Sequence, residues 1–469
     1  MAHESPARID AHQTSEKDSG TGPAPIEPDL KTVRKAVGAS AIGNATEWFD
    51  YGLYAVSTAY LSQHFFPGDN GQLWTLSLLA LSFIMRPIGG MVWGPIGDKM
   101  GRKGVLALTI VLMAAATFLI GVLPDVNTIG VFAPILLAVL RVVQGFSSGG
   151  EYGGAATFMA EYAPDHRRGF YGSFLEFGTL GGFAFGSLIV LIGELTLGNA
   201  AMMDWGWRIP FLVAGPLGLI GWYLRSKLAE SPIFEELEGK QHQSSVGGGL
   251  KELFAHHKGQ MAIVFGLVVA VNVVNYTLLT YMPTYLESSV GMDSSTTLTV
   301  MFIAQFAMMV VMPFGGALSD KVGRKPMWFV SLIALFVLSV PMYLLMAQGF
   351  WFALLGFAVL GLLYIPQLST ISATFPAMFP APVRYAGFAI AYNVSTMIFG
   401  GTSPMVNEAL IGATGNDLVP AFYMMGACLI GFIAVLFMKE TKGASLRGTQ
   451  VPETGKVPVF EPAATAGAH

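Results

Sequence analysis

"GPIGDKMGRK" (94–103) returns at a constant offset of 222 positions as "GALSDKVGRK" (316–325). Both copies share the frame G-x-x-x-D-K-x-G-R-K. A basic loop that only fixed membrane topology would need the Lys and Arg residues, but not Asp98, Asp320 or the paired glycines. Each copy follows the second long apolar stretch of its half. A weaker pair, "LAESP" (228–232) and "MKETK" (438–442), follows the sixth stretch of each half. The chain is therefore a duplication. Halves related by an axis along the membrane normal suit a central site opened alternately to either side.

Composition agrees with that frame. Of 469 residues, 53% are hydrophobic and 12% charged, and the mean hydropathy is +0.56. Soluble domains carry about 25% charged residues, so this is an integral membrane protein. Gly (56), Phe (33) and Met (24) are abundant, as expected where helices pack closely in lipid. Apolar runs of spanning length fall at 37–63, 73–97, 104–123, 128–160, 169–193, 206–225, 261–287, 296–318, 327–347, 350–375, 385–411 and 418–438. The expected fold is all-α, with twelve membrane helices in two pseudo-symmetric bundles of six. Lys and Arg cluster before the first run and in every second loop. The alternate loops (64–72, 124–127, 194–205, 288–295, 348–349 and 412–417) have neither. The positive-inside rule then places both termini in the cytoplasm.

The expected units are a polar cytoplasmic tail (1–33), a first bundle (34–227), a cytoplasmic linker (228–260) containing "SSVGGG", a second bundle (261–442) and a flexible tail (443–469). The first thirty residues lack the apolar core of a cleavable signal. The lone Cys428 cannot form an internal disulfide. All eight histidines lie in tails or between apolar runs, which argues against a haem or His-rich metal site at membrane depth. With no nucleophile or metal constellation visible, an enzyme is not expected, nor is any cofactor, metal or nucleic-acid partner. The expected partners are a small solute, protons and the bilayer, with the monomer sufficient for function.

The paired loop motif resembles the signature of the major facilitator superfamily. "GNATEWFDYGLY" (43–54), "MRPIGG" (85–90), "RVVQGFSSGGEYGGAA" (141–156), "DWGWRIPF" (204–211) and "TFPAMFPAPVRY" (374–385) are similar to its metabolite:proton symporters. Within these, "LEFGTLGGFAFG" (175–186), "NYTLLTYMPTYL" (275–286) and "FPAMFP" (375–380) look most like the proline/glycine betaine symporters. The likeness runs from about residue 34 to 442. It implies an inner-membrane carrier working by alternating access. It also implies that Asp98, Arg102, Asp320 and Arg324 latch one conformation, with Glu161 and Arg167 or Arg168 as a partner set after the fourth helix. The tail departs from members that end in a heptad-patterned coiled coil, because 443–469 is rich in Pro, Gly and Ala.

Two acids, Glu47 and Asp50, interrupt the first apolar run. A carboxylate at mid-membrane costs roughly 2.5–3.5 kcal/mol on insertion scales. Counted from Lys35, they lie about 18 and 22 Å along the helix at ~1.5 Å per residue. Asn44, Glu47, Asp50 or Tyr51, and Tyr54 recur every three or four positions and share one face. Such a face belongs toward a protein axis or a watery cavity. The resemblance supplies a counter-charge, since related carriers pair an acid on helix 1 with an arginine on helix 4, and Asp50 and Arg141 match those positions. An arginine keeps its proton, so it holds a carboxylate ionised until solute or conformation separates the pair. The carboxylate then takes up a proton. Glu151 and Glu176 are further intramembrane acids, and either Glu47 or Asp50 could be the main carrier. Arg86 and Arg208 are expected near helix ends.

At the same offset Asp50 corresponds to Asn272 and Tyr54 to Tyr276. The second half thus offers Asn272, Asn275, Tyr276, Tyr364, Gln367, Tyr392 and Asn393, all neutral. Acid–base chemistry concentrates in the first half, and amides with phenols in the second. Aromatic faces with a nearby carboxylate suit a quaternary or secondary amine. Trp48, Phe49, Tyr51, Tyr54, Tyr276 and Tyr392 could form that wall, Glu176 or Glu151 the counter-charge, and Arg141 the carboxylate receptor. A zwitterion of the proline, glycine betaine or ectoine type fits. The alternative is a small organic acid (α-ketoglutarate, shikimate or citrate type), which would call for more central cations.

Overall fold

A computed structural model describes residues 30–100, 102–226, 253–446 and 450–455. The expected tail (1–29), most of the linker (227–252) and the end of the chain (456–469) lie outside these. The first half comprises α1 (Leu30–Val56), continued beyond Ser57 by α2 (Thr58–Phe65), then α3 (Gly71–Met100) and α4 (Arg102–Val122). It goes on with α5 (Phe132–Ser147), its continuation α6 (Glu151–Tyr162), α7 (Arg168–Leu197) and α8 (Arg208–Ser226). In the second half, α9 (Lys258–Asn275) runs through a widened π-type turn (Tyr276–Tyr281) into α10 (Met282–Ser288). There follow α11 (Ser294–Val322), α12 (Arg324–Met346) and α13 (Phe350–Leu368). A second widened turn (Thr396–Gly400) joins α14 (Arg384–Ser395) to α15 (Ser403–Thr414), and α16 (Val419–Phe437) ends the bundle. Eight of the described helical stretches are long and apolar enough to cross a membrane.

Packing separates lipid-facing from central helices. Of the most apolar window of Lys258–Ser288, 83% is buried, against 33% for Arg324–Met346. The latter turns Val330, Ile333 and Val337 outward, a surface that only lipid can cover. Small residues let the central helices touch. A Cβ on Gly178 or Gly182 of α7 would come within 2.2 or 2.6 Å of the Ala41 or Ala45 carbonyl oxygen of α1. Likewise a Cβ on Gly145 would stand 1.9 Å from the Ser82 carbonyl, so α3 and α5 cross backbone to backbone. Those two crossings carry Glu47, Asp50, Arg86, Arg141 and Glu176 into one region. The halves meet chiefly where α7 lies along α11.

Helix starts follow local chemistry. The Asp293 side chain caps α11 by accepting from the Thr296 N–H at 2.9 Å. Hydrogen bonds from Ser295 and Thr296 hold this carboxyl below the ordinary aspartate range. Its contribution is therefore complete above the unfolded aspartate range and is lost as the pH falls through the folded value. Asp293→Ala is expected to lower stability by about 1 kcal/mol, read as a lower thermal unfolding temperature of the purified protein. The difference from the parent should shrink in acid, and a difference that does not change with pH would contradict the cap.

Three features lie at the edges of the expected units. Helix α1 begins at Leu30, inside the expected tail, and α9 begins at Lys258, inside the expected linker. The start of the second tail is built into the protein rather than loose. Ala444 and Leu446 are buried, and their carbonyls accept from Arg168 Nη1 at 2.7 Å and Arg384 Nη2 at 2.6 Å. Burying those two guanidiniums requires acceptors, and the backbone just past the last helix provides them.

Candidate functional site

Two acid–guanidinium pairs lie buried in the first half. In one, Asp50 Oδ2 accepts from Arg141 Nη1 at 3.2 Å. Its Oδ1 accepts from Thr117 Oγ1 and Gln144 Nε2, both at 2.7 Å. Arg141 Nη1 also donates to Gln144 Oε1 at 2.7 Å, and its guanidinium stands 4.0 Å from the Tyr54 ring centroid. Tyr54 is fixed in turn by donating to the Thr75 carbonyl at 2.8 Å. Every one of these partners comes from the first half. This closed network satisfies both oxygens of a buried carboxylate, which burial demands.

The second pair is the larger departure from the sequence reading. Arg86, expected near a helix end, is only 3% exposed and donates through Nη2 to Glu47 Oε1 at 3.1 Å. Its Nε donates to the Tyr51 hydroxyl at 3.3 Å. Its guanidinium lies 4.5, 4.8 and 5.8 Å from the ring centroids of Phe83, Tyr51 and Trp48. The reason is length. With thirty residues, α3 exceeds the ~20 needed to span a bilayer, so its sixteenth position is central. Arg208 does sit at a helix end, donating to the Gly121 and Leu123 carbonyls that close α4.

Rings from the second half close over this face. Tyr276 lies 5.0 Å from Phe83 and 6.3 Å from Trp48, centroid to centroid. The Tyr276 hydroxyl is buried with no hydrogen-bond partner among the described residues. Nearby, Tyr152 of α6 stacks on Tyr392 of α14 at 4.6 Å and 16°. The Tyr152 hydroxyl donates to Glu176 Oε1. Glu176 is buried and joins no ion pair among the described residues. Tyr364 donates to the Val271 carbonyl and to Asn275 Oδ1 at 3.2 and 3.3 Å.

Some expected residues hold the frame instead. Asn44 donates to the Leu175 carbonyl at 2.8 Å and Thr179 Oγ1 at 2.6 Å, tying α1 to α7. Asn272 donates to Thr396 Oγ1 at 3.0 Å. Phe49 packs on Phe185 at 5.5 Å, and Gln367 donates to Ser331 Oγ. Asn393 is half-buried on α14. The Glu151 side chain lies outside the described residues. Thr117, Gln144 and Tyr152 had no signal of their own, being ordinary polar or aromatic residues until the fold brings acids to them.

On the opposite side from the Asp293 cap, the second loop motif bridges the halves. The Asp320 carboxylate accepts from the Gly169 and Phe170 N–H groups at 2.8 and 2.9 Å, and from Arg324 Nη2 at 2.6 Å. Glu161 and Arg168, expected as part of a partner set after the fourth helix, have separate partners. Glu161 accepts from Arg384 of the other half at 3.0 Å, while Arg168 bonds Asp165 and Arg167 is exposed. Two arginines eight residues after their acceptors, Arg168 to the Ala160 carbonyl and Arg384 to the Pro376 carbonyl, form a second internal repeat. The side chains of Asp98 and Arg102 lie outside the described residues.

The Major Facilitator Superfamily sequence profile matches residues 40–406. The chain belongs to the Major Facilitator Superfamily. Among its relatives in that superfamily is the glycine betaine/proline/ectoine/pipecolic acid transporter OusA of Dickeya dadantii. The two are 41% identical, over 89% of this chain and 85% of OusA. The proline/betaine transporter of Escherichia coli K12 is 39% identical over the same shares. A putative proline/betaine transporter of Staphylococcus haemolyticus is 42% identical, over 90% of this chain and 91% of that protein. The superfamily fold is also that of the proton:xylose symporter XylE, with a TM-score of 0.71 and 18% identity, over 89% of this chain and 98% of XylE. The chain is thus a multi-pass membrane transport protein and not an enzyme.

Proposed function

We propose that this chain is a proton-coupled symporter of small zwitterions of the proline, glycine betaine and ectoine type. It works by alternating access through twelve membrane helices, in an inner membrane, with both termini in the cytoplasm and the monomer sufficient. The observation that carries the reading is the pair of buried acid–guanidinium contacts, Asp50–Arg141 and Glu47–Arg86, beside rings from both halves. Charges buried at this depth are costly unless paired, and their retention marks a proton or ion pathway. The relatives named for proline and betaine transport support the solute class. In this scheme protonation of Asp50 releases its bond to Arg141 and frees the first bundle to rearrange. Asp98, Arg102, Glu161, Asp320 and Arg324 act in the cytoplasmic latch.

The test is uptake into proteoliposomes of labelled glycine betaine and proline, with and without an imposed proton gradient. Accumulation that collapses with a protonophore is expected, and uptake indifferent to the gradient would remove the coupling. A second buried guanidinium, Arg86, is the one feature that favours an organic-acid substrate. Against it, each central arginine already has an acid, and Glu176 adds another. Unlabelled α-ketoglutarate or shikimate outcompeting betaine would establish that alternative.

A further inference from the structure

The two buried pairs are built differently, and the difference assigns them different work. Asp50 and Arg141 are hydrogen-bonded by Thr117, Gln144 and Ser82 and covered by the Tyr54 ring, all in the first half, while Arg141 Nε has no hydrogen-bond partner among the described residues. A solute carboxylate would have to dismantle that network to reach Arg141. Arg86 Nη2 holds Glu47 Oε1 at 3.1 Å, much as Arg141 holds Asp50 at 3.2 Å, but its surroundings are aromatic and shared with the second half. Its aromatic neighbours Phe83 and Trp48 touch Tyr276 of the second half. The Tyr276 hydroxyl, buried and without a hydrogen-bond partner among the described residues, is in electrostatic reach of Arg86 and Glu47. A polar group left that way in a packed interior is one a ligand would satisfy.

We propose that Arg86, helped by the Tyr276 hydroxyl, receives the carboxylate of the solute in exchange for Glu47, while Glu176 under the Tyr152–Tyr392 stack receives its cationic end. The proposal rests on the zwitterion reading and names the residues that execute it. Glu47, released from Arg86 inside the protein, takes a proton from the water of whichever side is open. Charge then balances: the incoming carboxylate replaces the outgoing one, and the proton neutralises the latter. Solute and proton travel together because one guanidinium cannot hold both carboxylates. The groups facing Glu47 are Arg86 on α3, Tyr51 on α1, Tyr276 after α9 and Tyr392 on α14, with Asp50 and Arg141 one turn away. At the other pole, Tyr392 is in reach of both Glu176 and Arg86. The Tyr152–Tyr392 rings and a carboxylate with no cation beside it among the described residues are what a substituted ammonium requires.

The test measures binding of glycine betaine and of choline, which has the same trimethylammonium but no carboxylate, to the purified full-length chain. Arg86→Gln is expected to weaken betaine at least about tenfold while changing choline little, so the selectivity turns toward choline. A misfolded protein would lose both. Arg86→Lys should recover part of the betaine affinity. Glu176→Gln should weaken both ligands together. Wild-type betaine affinity should rise with acidity, and Glu47→Gln should lose that rise. Betaine affinity unchanged in Arg86→Gln, or a wild-type slope kept in Glu47→Gln, overturns the assignment and leaves zwitterion symport standing. Wild-type protein that binds neither glycine betaine nor proline overturns both.

Discussion

Asp50→Asn is expected to reduce gradient-driven accumulation of zwitterion in proteoliposomes by about a hundredfold while leaving solute exchange between the two sides measurable. Asparagine matches the shape of aspartate and keeps one oxygen for Thr117 and Gln144 to donate to, with its NH2 then turned toward Arg141. What goes is the charge that Arg141 neutralises at 0% exposure. Removing one partner of a buried pair costs about 3–5 kcal/mol, and 1.4 kcal/mol is about tenfold in an equilibrium. That energy biases which arrangements of the first bundle are populated. An amide also cannot alternate between charged and neutral forms, so the proton has no carrier at this position. Exchange needs only that the loaded protein reorient, which separates lost coupling from lost folding. Gradient-driven accumulation at wild-type level in Asp50→Asn would remove Asp50 from the coupling path.

How much of this was legible before the fold is clearest residue by residue. The duplicated loop motif announced the two halves because a sharp turn with a carboxylate at a helix end needs those residue types in that order. Asp50 and Arg141 could be paired through resemblance alone, since nothing in the spacing of positions 91 apart says that they touch. Arg86 is expected near a helix end although the apolar run 73–97 already places it inside the span. Helix α3 continues through Pro87 to Met100. Glu161 is read from the sequence as part of a partner set after the fourth helix, and nothing in the sequence names Arg384, 223 positions away in the other half, as the residue it accepts from. One signal was present and missed: the eight-residue spacing from Ala160 to Arg168 repeats from Pro376 to Arg384. The packing of the start of the expected tail was not legible for a physical reason. Pro, Gly and Ala content says that a segment will not form a helix, but not whether its carbonyls will be taken up by buried arginines.

The second large effect is expected at the latch. Gly169 and Gly316 meet backbone to backbone, with the Gly169 carbonyl 2.3 Å from where a Cβ on Gly316 would stand. There the Asp320 carboxylate caps the first N–H groups of α7 across the boundary between halves. An anion at a helix N-terminus is favoured by the helix dipole, and each hydrogen bond to a charged group contributes about 1.5–3 kcal/mol. These bonds cross between the halves, so an opening of this side would break them. The Arg324 contact joins residues of one half and survives opening, so it does not enter the balance. Two such bonds give roughly 3 kcal/mol or more, which corresponds to about a hundredfold change in the closed-to-open ratio. Ser173 provides the readout, being 0% exposed and packed where Gly316 crosses α7. The native Cys428 is buried at 1%, and a Cys428→Ser background removes it. In that background, Ser173→Cys should react with a maleimide about a hundredfold faster when Asp320→Ala is added. Asp320→Asn, which keeps an oxygen but no charge, should fall between. The Arg384–Glu161 pair, with Glu161 28% exposed, should contribute less, because a solvent-reached ion pair is screened. Equal labelling rates with and without Asp320→Ala would mean that the halves are held together elsewhere, and the cap would be only a helix terminus.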